Sequence, residues 1–193
     1  KFEMGLSDDP LKFCNEARET KQWNNPAHLN ASKDIARKSM VLLKNESFSL
    51  LGEGGYKILP INTPLNTFKT YKEKVKLALI GPLVKSVKDH LGFWSYDWDD
   101  DSARIPSLYD AVKNKADSRT ELLYSKGCNI SDTSKAGFTE AIATAQQSDI
   151  VIMYVGEHRS MSGEAKSKSN IHLPGVQEDL IKAVMATGKP VVV

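Results

Sequence analysis

Short apolar strands alternate with helical patterns along most of this chain, and that alternation constrains the fold more than any other feature. Lys74-Val-Lys-Leu-Ala-Leu-Ile-Gly-Pro (74–82) reads as a strand running into a Gly-Pro stop. Further strands follow at 121–127, at 149–155 and from Val191 onward. Helical patterns fill the gaps at about 106–115, 136–147 and 174–187, where Phe138, Ile142 and Ala145 mark one face of the second. Strands separated by helices of this length need crossover connections, and crossovers make a parallel sheet with helices on both faces. The expected fold is an α/β, three-layer open sandwich with a mainly parallel sheet, truncated at its C-terminal end and preceded by an inter-domain linker.

Before the first strand the pattern is weaker. Residues 1–31 carry little periodicity, and Asp8-Asp9-Pro10, Asn24-Asn25-Pro26 and Asn30 supply turn and cap chemistry. They read as a linker with short helical pieces, and 32–193 as the sandwich domain. From Ser32, residues Ile35, Ser39, Leu42 and Leu43 fall at i, i+4, i+7 and i+8, which predicts a helix with one buried stripe to about Lys44. The Gly52-Glu-Gly-Gly run lacks dinucleotide-fingerprint spacing, follows no clear strand and opens no helix, so it reads as a surface turn. A start at Lys1 and an unfinished Pro-Val-Val-Val strand suggest cuts inside a longer protein.

Composition narrows the partners. With 40% hydrophobic side chains, 193 residues suffice for one core. A net charge of +2 from 26 basic and 24 acidic residues, with no basic block, argues against nucleic acid. The apolar runs fall far short of the roughly 20 residues of a membrane helix, so no membrane partner is expected. Cys14 and Cys128 lie far apart without a CxxC pair and read as two unpaired, partly buried thiols. No cofactor is implied.

Parallel strands deliver the loops after Ile80, Val155 and Val193 to one edge of the sheet, where open α/β sheets bind small molecules. The first loop holds Leu91-Gly-Phe-Trp-Ser-Tyr-Asp-Trp-Asp-Asp-Asp (91–101), with four aromatics and four acids in 11 residues. An indole from Trp94 or Trp98 can lie under the apolar face of a sugar ring while Asp97 accepts hydrogen bonds from its hydroxyls. The competing reading is that Phe93 and Trp94 plug the gap between loop and sheet. Asp97, Asp99, Asp100 and Asp101 suit a hard cation but lack the rest of an EF-hand loop; a solvated acidic turn is the commoner outcome, and no metal site is assigned. The second loop supplies Glu157, His158, Arg159, Ser162 and Glu164: acids, a potential base, a cation and a donor for a polyhydroxylated ligand. His172 reads as ordinary, and Ser162 lacks the GxSxG elbow of a nucleophile.

Seven ordered segments carry a resemblance. Ala36-Arg-Lys-Ser-Met-Val-Leu-Leu-Lys-Asn-Glu, Ile58-Leu-Pro-Ile, Leu79-Ile-Gly-Pro-Leu, Gly92-Phe-Trp-Ser, Ser162-Gly-Glu-Ala, Leu173-Pro-Gly-Val-Gln and Thr187-Gly-Lys-Pro-Val-Val-Val occur in the order seen in glycoside hydrolase family 3. Together they resemble the second, α/β-sandwich domain of its bacterial β-glucosidases, and 1–10 are similar to the segment leaving that family's N-terminal TIM barrel.

The resemblance implies a retaining, exo-acting β-glycosidase that hydrolyses terminal β-linked sugars of an oligosaccharide or glycoside in a crevice shared with the barrel domain, its other partner. It also implies that neither catalytic carboxyl lies in this sequence: the nucleophilic aspartate belongs to the barrel and the acid/base glutamate to a loop past Val193. Retaining chemistry needs both carboxyls, about 5 to 5.5 Å apart, so this segment alone is expected to be inactive. What the resemblance leaves here is a set of leaving-group-side contacts: Trp94, Asp97, Trp98, Glu157, His158, Arg159 and Glu164. Lys168 stands where many relatives have arginine, which weakens any bidentate contact at that point. Family habit implies a periplasmic or secreted enzyme. The alternatives are a non-catalytic sugar-binding or docking module and a flavodoxin-like nucleotide binder; the latter is disfavoured because no strand-to-helix turn has a phosphate-cradling glycine pattern.

Overall fold

A computed structural model describes residues 1–23, 25–48, 56–61, 74–95 and 105–193. The chain divides into two compact units, Lys1–Lys44 and Asn45–Val193.

The first unit holds α1 (Glu16–Gln22) and α2 (Pro26–Ser39). The helix expected from Ser32 to about Lys44 therefore begins six residues earlier and stops five earlier. Its start follows from Asn25, whose side-chain oxygen accepts the Ala27 N–H at 2.9 Å, and from Pro26, whose fixed φ and missing N–H suit a first helical position. Of the turn and cap chemistry expected at Asn25-Pro26, the cap is what forms. At the other end the Ser39 hydroxyl donates to the Ala36 carbonyl and Met40 is extended. Leu42 and Leu43 fall past the helix, which breaks the expected buried stripe: no residue of α2 is buried, and Ile35 is 68% exposed.

The second unit opens with a small antiparallel ladder, β1 (Ser47–Phe48) against β2 (Tyr56–Lys57). The Gly52 run between them lies outside the described residues. The main sheet contains β3 (Val75–Ile80), β4 (Thr120–Ser125), β5 (Ile150–Met153) and β6 (Val191–Val192) in the order β4-β3-β5-β6. All three strand pairings are parallel, as the crossovers require.

Period-two alternation sends each strand's side chains to two separate cores. Ala78 and Ile80 of β3 join Val151 and Met153 of β5 under α4 (Phe138–Gln146) and α5 (Gln177–Met185), which contribute Ala141, Ala145, Leu180 and Val184. On the opposite face Val75, Leu77 and Leu79 meet Ile150, with Tyr109 and Val112 of α3 (Leu108–Lys115) and with Ile58 and Ile61 packed on them. The sheet is covered on both sides, giving the three-layer α/β sandwich expected. Burying each such Leu, Ile or Val contributes about 1.5–3 kcal/mol.

Strand order also locates the crevice. The chain leaves β3 for α3 on one face and leaves β5 for α5 on the other, so the loops after β3 and β5 diverge at a topological switch point. Gly81, at the end of β3, has φ +137°, and a Cβ there would stand 2.3 Å from the Tyr154 carbonyl oxygen. Glycine is what lets the two strand ends close up.

Both cysteines are free thiols. Cys128 is buried and burial, then Asp132, pushes its thiol up, but Cys14 is exposed where partial burial was expected, because it lies beyond the turns that precede α1. No helix among the described residues is long and apolar enough to cross a membrane.

Candidate functional site

Three backbone hydrogen bonds tie the strand ends together at the switch point. Tyr154 N–H donates to the Ile80 carbonyl at 2.9 Å, Gly81 N–H to Ser125 at 3.1 Å, and Leu83 N–H to Tyr154 at 3.4 Å. The loops that leave these strand ends carry the candidate side chains.

Gln177 holds the second loop at its root. It is fully buried at the start of α5, and its side-chain carbonyl accepts the Gly156 N–H at 2.9 Å. Its amide nitrogen donates to the carbonyls of Gly156 (2.7 Å), Ile130 (2.8 Å) and Pro174 (3.2 Å). One side chain therefore joins the loops after β4 and β5 to the segment that opens α5. The residue after Gly156 is Glu157, so this clasp sets where the first acid of the loop emerges.

Glu157 is half-buried and ion-paired to Lys168, whose ammonium also donates to the His172 carbonyl at 3.0 Å. Lys168, read as a weak substitute for arginine, closes the loop back on its own start. His158 caps the short 3-10 turn Arg159–Met161: its Nδ1 accepts the Ser160 N–H at 3.2 Å, which leaves the neutral ring's proton on Nε2. That Nε2 lies 3.7 Å from Oδ1 of Asp89.

Asp89 was not singled out by the sequence, yet it stands where the two loops meet. It sits in a 3-10 turn, Lys88–Leu91, with its side chain 12% exposed. Oδ2 accepts the Ser86 hydroxyl at 2.6 Å and Oδ1 accepts the Arg159 N–H at 2.9 Å. Burial acts to raise its pKa, but the Ser86 and Arg159 hydrogen bonds and the neighbouring His158 and His90 outweigh it and hold the carboxyl below the usual aspartate range. His90 is lowered by burial, with Asp89 opposing, and its ring meets Tyr154 edge-on at 5.5 Å.

The aromatic loop closes on the same place. Arg159 donates from its guanidinium to Ser95 Oγ at 3.1 Å. Phe93 lies so close over Gly163 that a Cβ there would stand 2.3 Å from its ring. Phe93 thus packs against the second loop while remaining 36% exposed. Trp94 meets Phe93 edge-on at 5.2 Å and remains 74% exposed, so it plugs nothing. An indole presented to solvent beside packed neighbours is free to take a ligand face.

The sheet therefore brings together the loops that hold Trp94, Glu157, His158 and Arg159. Glu164 is exposed, three residues past the end of the short turn. Asp97, Trp98 and the acids 99–101 lie outside the described residues. His172 pairs with Glu178 at 2.8 Å, and the His172 hydrogen bond foremost holds that carboxyl low. Among the described residues no group of three or more His, Cys, Asp or Glu side chains is placed to hold a metal ion.

Fold and site define an α/β-sandwich domain whose strand-end edge, at the switch point, presents an indole, hydrogen-bonding acids and cations. The chain belongs to glycosyl hydrolase family 3: residues 40–193 match the family's C-terminal domain. It is 32% identical, over its full length, to a β-xylosidase of Formosa agariphila and 30% identical to the periplasmic β-glucosidase of Salmonella typhimurium, covering 24% and 25% of them. The chain thus spans about a quarter of the length of these relatives. Among solved structures, the β-glucosidase of Listeria innocua in complex with isofagomine superposes with a TM-score of 0.73 at 26% identity, over 99% of this chain and 23% of that one. A family 3 exo-β-xylosidase in complex with a xylobiose aziridine probe gives a TM-score of 0.64 at 26% identity, over 86% of this chain and 18% of that one.

Proposed function

We propose that the full-length protein is a retaining, exo-acting β-glycosidase of the β-glucosidase type that removes terminal β-linked sugars, and that this domain supplies contacts on the leaving-group side. The observation that carries the reading is the junction of two loops at the switch point, with Trp94 exposed beside Glu157, His158 and Arg159, in a chain of this family. Trp94 and Trp98 supply stacking faces, while Asp97, Glu157, Arg159 and Glu164 bond sugar hydroxyls.

The catalytic carboxyls come from elsewhere in this reading: an aspartate of a barrel domain that residues 1–31 link to the sandwich, and a glutamate beyond Val193. Within the described crevice no pair of acids is free for the two roles, since Glu157 is tied to Lys168 and Asp89 to Ser86 and Arg159. On this reading residues 1–193 alone do not turn over a glycoside. A periplasmic or secreted location belongs to the same reading and is supported by the periplasmic relative.

A panel of aryl β-glycosides assayed with the complete protein tests the proposal. Turnover of a β-glucoside or β-xyloside with retained anomeric configuration is expected; absence of turnover on every β-glycoside contradicts it. In the same assay Trp98→Ala is expected to raise KM or lower kcat/KM for oligosaccharides, and unchanged kinetics would remove Trp98 from the site.

A further inference from the structure

We propose that Asp89 is a positioning residue that locks the aromatic loop after β3 onto the Glu157–Arg159 loop after β5, so that the two form one leaving-group-side wall. The proposal rests on the glycosidase reading and adds to it a residue that touches no substrate.

The geometry runs through both carboxylate oxygens. Oδ2 is tied within its own loop to the Ser86 hydroxyl, which fixes the side-chain rotamer. Oδ1 is thereby aimed across the junction at the Arg159 N–H, 70 residues away in sequence. His158 Nε2 faces the same oxygen at 3.7 Å. With its backbone held by Asp89, Arg159 extends its guanidinium back to Ser95, the residue after Trp94. Ser95 in turn donates to the Gly92 carbonyl at 3.0 Å, closing the turn that presents Phe93 and Trp94. The chain of contacts thus begins at Asp89, crosses to the second loop and returns beside the exposed indole.

Packing reinforces that path. Phe93 fits over Gly163 only because glycine has no side chain there, so the aromatic turn is seated on the second loop. A charge-assisted bond to a backbone amide is stronger than a neutral one, and a short acid with both oxygens engaged tolerates little displacement. Its engaged, mostly buried oxygens also disqualify Asp89 as a proton donor to substrate.

The test uses the full-length enzyme with Asp89→Ala and Asp89→Asn, a β-linked disaccharide, a 4-nitrophenyl β-glycoside of the same sugar, and thermal melting. A misplaced wall affects a sugar leaving group more than a small aryl one. For Asp89→Ala the disaccharide KM is expected to rise about tenfold, with kcat and the aryl-glycoside KM changing less than about threefold. Asp89→Asn keeps the side-chain volume and one acceptor but loses the charge, so a rise of about threefold in the disaccharide KM alone is expected.

Parallel losses on both substrates, tracking the loss of folded protein, would overturn the proposal, because a purely structural residue behaves that way. Should Asp89→Ala fail to fold, the asparagine variant decides: an unchanged ratio of the two KM values overturns it. Failure of the glycosidase reading looks different, as the wild-type enzyme would then turn over neither substrate.

Discussion

A fully buried glutamine amide must find partners for its donors and its acceptor, and Gln177 finds them in three different segments. Replacing it by leucine keeps the bulk but strands the Gly156 N–H and the Ile130 and Gly156 carbonyls. Each stranded buried group costs about 1–3 kcal/mol, so Gln177→Leu is expected to lower the stability of the sandwich domain by about 2–4 kcal/mol in chemical denaturation. A loss under about 1 kcal/mol would show that the loops do not depend on the clasp. Asp89 gives a test by pH. Its folded pKa lies below the unfolded one, so its stabilisation is present above the unfolded value near 3.9 and is lost as pH falls through the lower folded value. The gap in melting temperature between wild type and Asp89→Asn, open at neutral pH, is expected to close below about pH 4. A gap that stays constant on acidification would mean the carboxylate gains nothing from its partners. Neither role is visible in the sequence. Gln177 shows only as the last residue of the Leu173–Gln177 segment and Asp89 as a lone acid, and their cross-loop partners sit at sequence separations that only the folded sheet brings to contact distance.

Among the elements, what the sequence displayed was whatever has a period. The four strands of the main sheet and the three helices that cover it follow from apolar runs and 3.6-residue spacing, and Ser107 with Asp110 caps α3 as a Ser-x-x-acid signature should. The two-residue strands β1 and β2 are too short to carry a period and went unread. In α2 the apolar spacing of Ile35 to Leu43 suggests a stripe that the structure leaves exposed, while Asn25 and Pro26, legible as turn and cap chemistry, set the start of the real helix. At the strand ends Gly81 matters most. Gly81→Ala would place a methyl against the Tyr154 carbonyl at a positive φ, and is expected to destabilise the domain by about 2–4 kcal/mol in denaturant titration. A change within about 0.5 kcal/mol would mean that β3 and β5 separate readily at the crevice.

For the whole molecule, the sequence reading that the loops after β3 and β5 share an edge agrees with the structure, but it is silent about what joins them. Parallel topology dictates the first; the second depends on side-chain contacts such as Asp89 with Arg159 and Phe93 with Gly163. The division of labour proposed here has a kinetic consequence. Glu164 is exposed in the loop proposed to bind substrate, so Glu164→Gln in the complete enzyme is expected to reduce kcat for aryl glycosides by less than about tenfold, far short of the loss from removing a catalytic carboxyl. Equal losses would relocate the catalytic acid to this loop. The most direct measurement is hydrogen exchange on the full-length protein, alone and saturated with a non-hydrolysable, thio-linked β-disaccharide whose second sugar fills the leaving-group side. Slowed exchange within 86–95 and 156–163, with the strands unchanged, is the expected result. Protection confined to other parts of the protein, with both loops exchanging as before, would contradict a substrate wall at this edge of the sheet.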